Sequence, residues 1–125
     1  MKKATVNYRE RKNFVKYDEK HVLLYLNEQP AEIADEESGE TVQGYSYTGT
    51  LEDGGTLIEA EGVTDENRRS KFISGLIGTE YDIDAQIAIL ANGDDTNEHA
   101  EERAVFLSER QAVKQAIDEL LARDI

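Results

Sequence analysis

The chain has 125 residues, of which 27 are acidic and 14 basic, giving a net charge of -13, with no Cys, no Trp and a single Pro. The absence of cysteine excludes disulfide scaffolds, thiolate zinc sites, iron-sulfur clusters and cysteine nucleophiles. A chain this long fits one domain in which folding buries roughly two-thirds of the extended surface, so a true core is expected.

The first twenty residues carry seven basic and three acidic side chains, net +4. Within them Ala4, Val6 and Tyr8, and then Phe14, Val15 and Tyr17, suggest one or two strands. His21 to Leu26 is apolar on both alternating faces, Val22, Leu24 and Leu26 against Leu23 and Tyr25, as expected of a central strand covered on both sides. After Pro30, the run Glu37-Ser38-Gly39-Glu40 between Ile33 and Val42 has the composition of a loop that folds two strands back on each other. Tyr45, Tyr47 and Leu51 then share one face by alternation. Asp53-Gly54-Gly55, ahead of Thr56-Leu57-Ile58-Glu59, predicts a two-residue hairpin turn with positive backbone angles.

From Thr64 the period becomes helical. Thr64 followed by Asp65 and Glu66 predicts an N-cap, and Phe72, Ile73, Leu76 and Ile77 form a stripe that ends at Gly78, a residue suited to a left-handed C′ position. Thr79-Glu80-Tyr81-Asp82 resembles a capping box with Asp in place of Glu, opening a second helix whose buried face would be Ile83, Ile87 and Leu90. A polar loop at Gly93 to Thr96 leads to a long third helix, with Phe106, Val113, Ile117 and Leu120 on one side. The expected fold class is α+β, an N-terminal antiparallel sheet followed by about three helices. Residues 1-62 would form a β module and 63-125 a helical module, as one compact unit or two adjoining ones.

Charge is unevenly spread. His21 to Asn67 contains twelve carboxylates and no Lys or Arg, and the remainder has seven basic and twelve acidic residues. So acidic a body repels phosphate, which argues against nucleic-acid binding, and only the stretch through Lys20 could dock on an acidic surface. No segment reaches the length of a membrane span, and no apolar run of a signal peptide follows the first residues, so a cytoplasmic protein is expected.

Catalytic equipment is sparse. His21 and His99 are spaced unlike a metal pair and stand in no nucleophile-elbow context, so surface histidines are the ordinary reading. Neither acidic cluster, Asp82-Asp84 or Asp94 to Glu98, supplies calcium ligands at the loop positions the metal requires. Gly54-Gly55 lacks the spacing of a phosphate loop. No enzyme activity, cofactor or metal is expected.

Arg110 is the position that resists an ordinary reading. On a helical wheel it falls within the stripe of Phe106, Val113 and Ile117, where its stem would lie on apolar surface and its fork would need an acceptor. It should be at least half buried and paired with a carboxylate, Glu80 or Asp84 within the chain, or else serve as an anchor facing a partner. Tyr45 and Tyr47 pose the same choice between half-buried sheet residues and an interface, tyrosine being enriched in both.

The stretches Tyr45 to Gly49, Asp53 to Ala60 and Tyr81-Asp82 through Leu90, followed by Phe106, Arg110 and Lys114, resemble small prophage-encoded proteins from tail and tail-fibre gene neighbourhoods. The C-terminal helices of those proteins are similar to tail fibre assembly proteins. The resemblance covers roughly residues 21 to 121, and the tryptophan often seen in the long helix is absent here. It implies a non-enzymatic virion or assembly role, in the cytoplasm or on the virion. The implied partner is a phage tail component or a second copy of the chain, with Tyr45, Tyr47, Phe106 and Arg110 as the candidate contact residues. A different class, an acidic mimic of DNA, follows from the uncompensated carboxylates and would require them in phosphate-like double rows.

Overall fold

A computed structural model describes residues 3-125. Six strands, β1 (Ala4–Tyr8), β2 (Phe14–Lys16), β3 (His21–Leu24), β4 (Gln29–Ala34), β5 (Thr41–Gly49) and β6 (Thr56–Glu59), precede three helices, α1 (Arg68–Gly78), α2 (Ile83–Asn92) and α3 (Asn97–Ala122). The fold is α+β, as the change of period near residue 62 indicates.

The strands form two antiparallel three-stranded sheets, ordered β1-β5-β4 and β2-β3-β6. The β2-β3-β6 sheet is the middle layer. Val22, Leu24 and Ile58 face the helices and join Phe72, Ile73, Ile77, Phe106, Ile117 and Leu120 in the larger core. Leu23, Tyr25 and Leu57 face the other sheet and meet Tyr8, Tyr45 and Tyr47 in a second core. The alternation of β3 therefore reads as it should: two apolar faces because there are two layers to cover. The larger core draws on both halves of the chain, so neither half holds that core by itself.

The loop at Glu37 to Glu40 does join paired strands, with Ala34 opposite Thr41 and Ile33 opposite Val42. Asp53 to Gly55 behaves otherwise. The turn is tight, with the Leu51 amide donating to the Gly55 carbonyl at 2.9 Å and Gly54 at φ +85°, whereas Gly55 is not in the positive region. But β5 and β6 lie in different sheets. The turn is a step between layers instead of a hairpin, and the missing side chain of Gly49 lets the Gly55 carbonyl cross directly against it.

Helix ends also differ in detail from expectation. Thr64 and Asn67 cap each other reciprocally, Thr64 N–H donating to Asn67 Oδ1 at 2.7 Å and Asn67 N–H to Thr64 Oγ1 at 3.3 Å, one turn ahead of the regular helix. α1 stops at Gly78, but by a tight turn onto the Leu76 carbonyl and without a left-handed glycine. The cap of α2 is Asp82, whose Oδ1 accepts from Ala85 N–H at 2.7 Å, while the Thr79 hydroxyl donates backwards to Leu76 O. α1 can approach β6 closely because residue 75 is glycine: a Cβ there would sit 2.5 Å from the Glu59 carbonyl oxygen.

Candidate interaction surface

Three places in the fold could do chemistry or binding. The first is a buried polar cluster that the sequence reading missed. Arg123, immediately past α3, has a side chain only 1% exposed. It holds Glu119 with both arms of its fork at 3.0 and 2.7 Å and donates to the carbonyls of Lys12 and Tyr25 at 2.9 and 2.6 Å. Its guanidinium also lies 5.4 Å from the centre of the Tyr47 ring. Tyr47 donates to Glu28 at 2.8 Å, and Arg11 clasps the same carboxylate at 3.1 and 2.9 Å.

Burial works to raise the Glu28 pKa, but the hydrogen bonds from Arg11 and Tyr47 and the charges of Arg123 and Arg11 outweigh it, leaving the carboxyl below its ordinary value. Burial, with the bond to Glu28, pushes the Tyr47 hydroxyl up to about 12. Among the described residues no buried side-chain polar atom lacks a partner. A cluster in which every buried polar atom has a partner fixes the fold.

The second place is a cleft of about 310 Å³ between the end of α1, residues 26-27 after β3 and the middle of α3, floored by Leu26, Leu76, Ile77, Phe106 and Val113. Tyr81 closes one side, its ring 5.0 Å from Phe106 and its hydroxyl donating to Glu109 at 2.6 Å. Arg110 stands on the rim, exposed and in no ion pair or hydrogen bond among the described residues. This corrects the expectation of burial and of pairing with Glu80 or Asp84 within the chain. Arg110 falls at the margin of the α3 stripe, where the cleft opens, while Phe106 and Ile117 on either side of it in the sequence are buried.

The other candidate residues divide in the same way. Tyr47 and Phe106 are 0% and 2% exposed, so both are core and have no surface to offer a partner, which corrects their place among the contact residues. Tyr45 is partly buried opposite Tyr8, with the Arg11 guanidinium 5.7 Å from its ring centre.

The third place is α2. The side chains expected to be its buried face are its outer one: Ile83, Ile87 and Leu90 are 68%, 59% and 51% exposed. The residue that packs into the core is Ile89, supported by half-buried Ala85 and Asn92 on the side opposite. A spacing of four and three identifies a face but not its direction, and this helix is apolar on two sides. With Asp84 as its single charge in ten residues, it has the composition of a helix enclosed all round, yet only one side is covered.

The two histidines are paired at the surface, His21 with Asp18 at 2.8 Å and His99 with Asp95. Among the described residues no group of three or more His, Asp or Glu is arranged to hold a metal ion. No helix among them is long and apolar enough to cross a membrane. Comparison with family models, with curated proteins and with solved structures returns no match.

Proposed function

We propose that this chain is a non-enzymatic protein that works by binding another protein, as a phage-derived structural or assembly accessory in the cytoplasm or on the virion. The observation that supports binding is the uncovered outer face of α2, three large aliphatic side chains in a row, each more than half exposed. Contiguous exposed apolar side chains are a common mark of an interaction site, because leaving them in water costs free energy that a partner recovers. The phage and assembly part of the reading comes from the resemblance of the tyrosine-rich strand and the C-terminal helices.

The DNA-mimic reading fits the structure less well. The twelve carboxylates from residue 28 to 66 fall just before and on the β4-β5 hairpin, on the step between sheets, at and after the end of β6 and in the turn that precedes α1. Glu28 and Asp53 use their oxygens on Tyr47 and Tyr25. Such scattered charge keeps a protein soluble.

Co-expression with the products of the genes flanking its own tests the proposal. A stable complex that is lost in the triple variant Ile83→Ser, Ile87→Ser, Leu90→Ser is expected. A chain that neither self-associates nor retains any of those products would overturn it.

A further inference from the structure

We infer that the outer face of α2 receives an amphipathic helical segment of a partner protein whose apolar stripe is flanked by Lys and Arg. The inference rests on the interaction reading above and adds the chemistry of the partner. Ile83, Ile87 and Leu90, at spacings of four and three, form a single ridge on one helix. A ridge of this width suits a partner helix with anchors at i, i+3 or i+4, and i+7, the usual mode of helix-on-helix recognition.

The rim selects the partner. Residues 79-102 carry eight carboxylates and no Lys or Arg, and all eight are exposed. Asp84 lies on α2 itself, Asp94 and Asp95 follow its end, and Glu98 opens α3. Among the described residues none of the eight is paired with a Lys or Arg. A second copy of the chain would meet this face with the same face, as a two-fold interface requires, and would set one acidic rim against another. Charges brought within about 8 Å of each other escape much of the salt screening, so the rims oppose self-pairing. Three side chains are also few beside the roughly 20 to 30 residues a side of a stable dimer interface. A short segment with basic flanks satisfies both the apolar ridge and the rim, and charge complementarity of this kind favours fast encounter and selectivity.

The test uses a labelled synthetic peptide of about 18 residues, long enough to be helical when docked, with Leu at helical spacing and Lys and Arg on both sides. One control replaces each Lys and Arg by Glu, and a second scrambles the order so that composition stays but the stripe is lost. Fluorescence anisotropy at physiological salt should show the basic peptide binding at least about 10-fold more tightly than either control. The triple serine variant should lose at least about 10-fold, while Arg110→Met leaves the affinity unchanged. Circular dichroism melts check that the triple variant is folded, and the single variant Ile87→Ser stands in for it otherwise.

Equal binding of the scrambled peptide, or undiminished binding to the serine variants, would reduce the effect to bulk charge and overturn the inference. Sedimentation of the peptide-free chain separates the remaining outcomes. A dimer that the serine substitutions dissolve gives the face to a second copy, overturning the inference and leaving the interaction reading in place. A complex with a neighbouring gene product that ignores these substitutions does the same. Absence of any complex and of self-association removes the underlying reading itself.

Discussion

The guanidinium of Arg123 reaches back 98 residues to the backbone carbonyl of Tyr25, at 2.6 Å, and so ties the end of the last helix to the segment that follows the central strand. With Lys12 O, Glu119 and Glu28 also around it, this arginine is the point where both sheets and α3 meet. Arg123→Met should therefore cost about 3 kcal/mol or more, since it leaves the buried Tyr25 carbonyl and the part-buried Lys12 carbonyl without this donor and Glu28 with one cation fewer. The thermal midpoint should fall by roughly 10 °C. Arg123→Lys should not restore it, because a single ammonium cannot reproduce the fork.

Arg110→Met, by contrast, should change stability by no more than about 0.5 kcal/mol, as expected of an exposed side chain with no partner. Thermal melts of the two arginine variants side by side check the difference. Equal losses would mean that Arg110 has a partner in solution.

Much of the architecture is legible in the residues themselves. The two-sided β3, the acidic loop between β4 and β5 and the three helices follow from periods of two and 3.6 and from Gly, Asp and Thr at their ends. Direction is what periodicity withholds. Ile83, Ile87 and Leu90 share a face whichever way α2 turns, and only packing against α3 decides that Ile89 points in. Arg110 sits at the margin of its stripe, and a stripe does not say which marginal position opens onto a cleft. Arg123 lies beyond the helical pattern, so no wheel includes it; its one trace in the sequence is a lone cation in an acidic C-terminus. Asp-Gly-Gly announces a tight turn without saying whether the strands it joins will pair.

Glycines 75 and 78, three apart in one helix, should respond oppositely to alanine. Gly78→Ala meets nothing within 4 Å and should gain about 0.5 kcal/mol or more from reduced freedom of the unfolded chain. Gly75→Ala gains the same propensity but drives its methyl against the Glu59 carbonyl and the Ile58 side chain, at 2.5 and 3.0 Å. Overpacking of this sort costs about 1 to 3 kcal/mol, so the net should be destabilising. Urea unfolding of both variants measures the contrast.

Four tyrosines should give alkaline sensitivity: burial first of all holds Tyr8 and Tyr25 above the ordinary value, and Tyr47 and Tyr81 join them. The Tyr81 hydroxyl is pushed up to about 12, first by its hydrogen bond to Glu109 and then by burial, and burial holds Tyr47 at about 12. Both folded values lie above the ordinary value of 10.0. The stability they contribute is thus complete below pH 10 and is lost as pH rises toward 12. Glu28 has the opposite sign. Its folded pKa is below the ordinary 4.5, so its contribution is present above that pH and disappears as pH falls through the lower folded value. Absorbance titration of phenolate, with Tyr81→Phe removing one late-titrating group, checks the alkaline limb, and Glu28→Gln should flatten the acid limb of a stability profile.

Isoleucine methyl spectra, recorded while the basic amphipathic peptide is added, show directly whether the outer face of α2 receives it. The methyls of Ile83 and Ile87 should shift with saturation while those of Ile58, Ile117 and Ile33 stay in place. Shifts confined to Ile77 beside the Arg110 cleft, or to Ile33 on the outer sheet, with Ile83 and Ile87 unmoved, would contradict that expectation.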